Sequence, residues 1–127
     1  MDASAFVSII AGEADGQALA LQVVEDTDPI WSAMSCWETI AALRKSHGYD
    51  LGSARAEVEA YATARPLRLV PIGEPERSLA LDAYDNYGKG RDPAGLNMGD
   101  CFSYACAKAN DARLLYKGND FAKTDLA

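Results

Sequence analysis

The sequence has 127 residues, 49% hydrophobic and 24% charged, a balance that fits one folded domain and excludes wholesale disorder. No apolar run approaches the ~18 residues that a membrane helix requires, and no basic segment precedes the first apolar stretch, so a secretory leader is not expected. The formal net charge of -7 argues against a basic coat protein for nucleic acid, but not against an enzyme whose acidic groups hold cations, and it leaves room for a basic protein partner.

Apolar runs alternate with helical patterns, which predicts an α/β domain with a parallel sheet over residues 1–127. Residues 3–10 read as a short helix stopped by Gly12, and residues 13–26 as a second helix. A strand is expected over 29–33, then a helix over 35–46 with Trp37, Ile40, Ala41 and Leu43 on one face and Gly48 as its stop. A helix over 53–65 ends at Pro66, and 67–72 reads as a strand. A helix over 76–87 leads to the Gly- and Pro-rich loop 88–95. Residues 100–110 form a helix of small side chains, and 112–116 read as the last strand. A first strand should precede Asp2, where only Met1 stands. The three cysteines, Cys36, Cys101 and Cys106, form no CxxC or Cys/His pattern, so a reduced, cytoplasmic protein without zinc is expected.

Four acidic residues fall where such a sheet presents functional groups. Asp2 lies at the start of the first helix, Glu38 one turn into the helix after the second strand, Asp100 at the opening of the small-residue helix, and Asp120 after the last strand. Parallel sheets gather residues distant in sequence at the carboxyl ends of their strands. Oxygen ligands of this kind suit hard cations such as Mg²⁺ or Mn²⁺, which activate water and offset charge on a phosphate.

Asp2-Ala3-Ser4-Ala5-Phe6-Val7 resembles the opening motif of PIN-domain ribonucleases, in particular the VapC toxins of bacterial toxin–antitoxin pairs. Trp37-Glu38-Thr39 is similar to their second acidic motif, and Leu96-Asn97-Met98-Gly99-Asp100-Cys101-Phe102-Ser103-Tyr104-Ala105 gives the most specific match. Residues 114–125, with Gly118, Asn119, Asp120 and Phe121, resemble the closing segment, and the motifs follow the family's order along nearly the whole chain. The resemblance implies a three-layer α/β/α sandwich with a central parallel sheet, and RNA cleavage dependent on Mg²⁺ or Mn²⁺. It also implies a homodimer, a cognate antitoxin, and Asp2, Glu38, Asp100 and Asp120 as catalytic metal ligands. Two departures stand out: the strand residues before Asp2 are missing, and Asn119 occupies a position where many relatives have Asp.

Each residue also has a plainer role to weigh. Asp2 can be a helix N-cap; Ser35 to Glu38 fits a capping box; Asp100 can simply complement a helix dipole, with Asn97 as the cap; Asp120 can be a turn residue, and Asp125 is an alternative to it. Ser4 can orient the Asp2 carboxylate. His47 is expected to cap a helix end or face solvent, Trp31 and Trp37 to pack in the core, and Cys101 and Cys106 to act as small hydrophobes. Among the cations, Arg44 and Lys45 read as surface charges, while Lys89, Arg91 and Lys117 flank the acidic set and are candidates for phosphate contacts. Two rival functions remain. One is a non-catalytic PIN-like interaction module. The other is a phosphohydrolase with an aspartate nucleophile, which wants a second Asp two residues on, where Ser4 stands.

Overall fold

A computed structural model of the chain describes residues 1–90 and 92–126. Helix α1, Ala3–Ala11, starts from Asp2 and stops at Gly12, whose φ of 71° places it in the left-handed region. Helix α2 spans Gly16–Glu25. Strand β1, Ile30–Trp31, runs straight into α3, Ala33–His47, through the extended N-cap Ser32. Helix α4 covers Leu51–Ala64, strand β2 Arg68–Leu69, α5 Glu74–Tyr87 and α6 Met98–Ala109. Every expected helix is present, with ends shifted by a few residues. Asp50, for instance, accepts from the Ser53 N–H at 2.7 Å and so starts α4 two residues early.

The two strands pair in parallel, Ile30 beside Arg68 and Trp31 beside Leu69, so the class is α/β as the sequence implied. The sheet is shorter than expected. Segment 112–116 forms no strand, because the chain beside it turns into α1 at Ala3 and offers too little backbone to extend a ladder. What remains is a row of single bonds. The Met1 nitrogen donates to the Ile30 carbonyl at 2.6 Å, and the Asp2 N–H donates to the Leu115 carbonyl at 3.0 Å. Residues 1–2 thus occupy the place of a first strand between β1 and the 112–116 segment.

Apolar burial on either side explains the layering. Phe6, Val23, Leu43, Val58 and Ala62 join α1 to α4 in one core. Ala80, Ala83, Leu96, Tyr104 and Phe121 join α5, α6 and the C-terminal segment in a second. Ile30, Val70 and Cys106 lie between them. Cys101 and Cys106 are buried among apolar neighbours, as small hydrophobes should be. Trp31 packs 5.8 Å from the Phe6 ring, but Trp37 is 70% exposed, contrary to expectation. The buried face of α3 is set by Ser35, Thr39 and Leu43, spaced four apart, and position 37 falls on the far side of the helix. Among the described residues no helix is long and apolar enough to cross a membrane.

Candidate functional site

Asp2 is only 4% exposed, yet both of its carboxylate oxygens are bonded. Oδ2 accepts from the Ser4 backbone N–H at 3.0 Å and from the Ser4 hydroxyl at 2.6 Å. Oδ1 accepts from the Ser103 hydroxyl on α6 at 2.7 Å. The residue is therefore the N-cap of α1 and, at the same time, the point where α1 is tied to α6. One oxygen does each job, so the cap and the site role are compatible.

Glu38 does not belong to a capping box. The box at the start of α3 is made by Ser32 and Ser35, whose backbone N–H groups bond each other's hydroxyls at 3.0 and 3.2 Å. Ser32 wins because the strand delivers it already extended, whereas Ser35 lies inside the first turn. Glu38 is thereby left to turn inward. Its Oε1 is buried and has no hydrogen-bond partner among the described residues. Burial first, and the charge of Asp2 second, push its pKa up. Against it lies Gly99 of α6, where any Cβ would overlap the Glu38 carboxylate. Glycine in the first turn of a helix is otherwise a poor choice.

Asp100 is the third residue of α6, not its opener. Asn97 caps the helix by accepting from the Asp100 N–H at 2.8 Å, and Asp100 Oδ2 accepts from the Asn97 N–H at 3.1 Å. Asp100 is 7% exposed. Burial drives its pKa up, the Asn97 N–H works in the other direction, and the charges of Asp2 and Asp120 add to the rise, as does a hydrogen bond with Asp120; the result is about 7. Asp120 itself is exposed, two residues after Gly118 with its φ of 85°, and one before the fully buried Phe121.

The sequence-chosen carboxylates are thus linked in pairs by charge: Glu38 with Asp2, Asp2 with Asp100, Asp100 with Asp120. As placed, no three acidic, His or Cys side chains among the described residues form a group close enough to hold an ion. The donor chemistry nevertheless fits a hard divalent cation: oxygen ligands only, one of them a buried carboxylate oxygen without a partner, and a glycine leaving room beside it. An unpaired buried carboxylate is costly in protein, and a cation is what removes that cost.

Other candidates separate from the site. Asp125 is occupied elsewhere, accepting from the Tyr104 hydroxyl at 2.6 Å and pairing with Lys108 at 2.5 Å. His47 is exposed, the second of its two expected places, and does not cap α3: its Nε2 lies 2.9 Å from Glu13 Oε2, and the Gly48 N–H closes the helix by bonding the Leu43 carbonyl. The Lys117 ammonium sits 2.5 Å from Glu13 Oε1 and so faces a carboxylate rather than an open cleft. Lys89 is exposed, as are Arg44's neighbour Lys45 and the end of α3 around it, and Arg91 lies outside the described residues. Ser4 does orient Asp2 as anticipated. Ser103 and Gly99 were not singled out from sequence. The signal for Ser103 was its position three residues after Asp100, which puts both on one helix face; for Gly99 it was a glycine where a helix former belongs.

The PIN domain family matches residues 1–126. The chain is 38% identical over 127 residues to a protein named Ribonuclease VapC from Mycolicibacterium smegmatis, covering 100% of this chain and 96% of that one. It is 36% identical over 127 residues to a VapC ribonuclease of Mycobacterium tuberculosis, covering 95% of it. A VapC ribonuclease of Rhizobium meliloti is 43% identical over 97 residues, 75% of this chain and 68% of that protein. Matched along essentially its whole length, and carrying the acidic residues just described, the chain belongs to the PIN-domain family and, within it, to the VapC ribonucleases.

Proposed function

We propose that this chain is the ribonuclease of a toxin–antitoxin pair and hydrolyses RNA phosphodiester bonds at a site built from Asp2, Glu38, Asp100 and Asp120. The observation that carries the assignment of the site is Glu38 Oε1, buried without a partner beside Gly99. Mg²⁺ or Mn²⁺ is the cation whose ligand preferences match this all-oxygen set. When bound, such an ion lowers the pKa of water and offsets charge on the scissile phosphate.

The chain's own residues supply the rest. Ser4 and Ser103 fix both oxygens of Asp2, so its orientation is set before substrate arrives. Asn97 fixes one oxygen of Asp100, and the same carboxyl also meets Asp120. Gly99 keeps the Glu38 carboxylate close to α6. Asp120 is the exposed member of the set and meets Asp100 at the open side of the site. The 1–127 domain acts in the cytoplasm as a homodimer, held in check by a cognate antitoxin protein, and the acidic surface suits a basic segment of that partner.

Calorimetry with Mn²⁺ and cleavage of a short labelled RNA test the site together. Asp100→Asn and Glu38→Gln are expected to keep the wild-type circular dichroism while metal affinity and cleavage fall on the order of 100-fold or more. Cleavage by Asp100→Asn at the wild-type rate would remove the site from this set of residues. Sedimentation of the purified chain reads the dimer separately.

A further inference from the structure

The four site carboxylates are not equally anchored. Asp2 and Asp100 are held by helix caps, and Glu38 stands on a helix. Asp120 lies in residues 117–126, a run of turns and bends without helix or strand, and meets Asp100 through a side-chain hydrogen bond as well as like charge. The loop is also held from outside the site. Downstream, the buried Phe121 does this, its ring 5.0 Å from that of Tyr116. Upstream, Lys117 is bonded at both ends.

The Lys117 backbone N–H donates to Ser4 Oγ at 3.0 Å, and that hydroxyl in turn donates to Asp2 Oδ2 at 2.6 Å. A serine hydroxyl has one proton to give and lone pairs to accept with, so both bonds form at once. The Lys117 ammonium lies 2.5 Å from Glu13 Oε1 and 3.7 Å from Asp15 Oδ1. Asp15 is steadied by the Ser8 hydroxyl at 2.5 Å. The second oxygen of Glu13 meets His47 Nε2 at 2.9 Å, at the end of the helix that carries Glu38. Glu13, on the turn between α1 and α2, thus joins the Glu38 helix to the Asp120 loop.

We infer that Lys117 and Glu13 are positioning residues: their ion pair holds the Asp120 loop against Asp2, so that the fourth carboxylate reaches the cation. The inference rests on the proposed metal site. An isolated surface pair adds little to anything measurable; this one differs because the same residue is also held by its backbone N–H on Ser4, so the ammonium fixes the direction in which a loop already pinned beside Asp2 continues toward Asp120.

The test is Mn²⁺ binding by the full chain, followed by calorimetry. Lys117→Met should weaken Mn²⁺ about threefold to tenfold, below the 10–100-fold typical of buried partners of metal ligands because this pair is partly exposed. Lys117→Arg should restore affinity to within about twofold, since the charge and reach survive. Glu13→Gln should reproduce the loss from the other side of the contact, and decides the matter if Lys117→Met fails to fold. In an Asp120→Asn background, Lys117→Met should cost nothing further, because the lysine acts through Asp120. Unchanged affinity in both Lys117→Met and Glu13→Gln, or an equal loss in the Asp120→Asn background, overturns the inference while leaving the site standing. No Mn²⁺ binding by the wild type overturns the site and the inference with it.

Discussion

Asp100 carries the largest titration shift among the carboxylates of the proposed site. Its folded-state pKa of about 7 lies above the ~4 of an unfolded aspartate. Between those values the native chain binds more protons than the unfolded one, so metal-free stability falls as pH rises from about 4 to about 7, then levels off. Glu38, also shifted upward by burial, adds in the same direction. Urea midpoints at pH 5 and pH 7.5 without metal should show the loss, Asp100→Asn should flatten it, and Mn²⁺ should reverse it above pH 7. A second prediction concerns Gly99. Alanine there favours the helix by up to about 1 kcal/mol, but its methyl group displaces the Glu38 carboxylate. Gly99→Ala should therefore keep its melting temperature within a few degrees while Mn²⁺ affinity falls about tenfold or more. The two residues were not equally legible. Asp100 is marked by its immediate neighbours in sequence, whereas the room beside Gly99 exists only because α3 brings Glu38 to it from 61 positions away.

At the scale of elements, α6 does most of the assembly. Gly99, Asp100 and Ser103 share its buried face, one accommodating Glu38, one a carboxylate of the set, one bonding Asp2. Ser103→Ala should leave the helix intact and weaken Mn²⁺ about tenfold, with Ser103→Thr close to wild type; calorimetry reads both. Equal affinity of the alanine variant would show that Ser4 alone suffices to orient Asp2. The helices were readable because their apolar spacing and their Gly and Pro stops are local properties of the chain. The cap of α3 was not, because Ser32 and Ser35 are both good caps and the preceding strand chooses between them. Segment 112–116 has the composition of a strand, but strand formation needs a partner backbone, which composition does not report.

For the molecule as a whole, the charge of -7 confronts a polyanionic substrate. Long-range repulsion slows encounter, and salt screens it, with a Debye length near 10 Å at 0.1 M. The kcat/KM for a short RNA at saturating Mn²⁺ should thus rise between about 10 and 100 mM KCl, the reverse of what a basic nuclease gives. A steep fall over that range would mean that local cations near the cleft dominate. Many of the basic side chains are already paired: Arg55 with Glu59, Arg68 with Asp28, Arg77 with Glu74, Lys108 with Asp125. The net charge was plain in the composition. Which cations are spent on internal pairs, Lys117 above all, depended on the tertiary fold.

The hydrogen bond from Ser103 to Asp2 spans 101 positions of the chain. During synthesis the first carboxylate of the proposed site emerges long before its partner on α6 and the Asp120 loop. The proposed site is thus a late product of folding: Asp2 cannot take its final orientation until α6 has been made and has packed against α1.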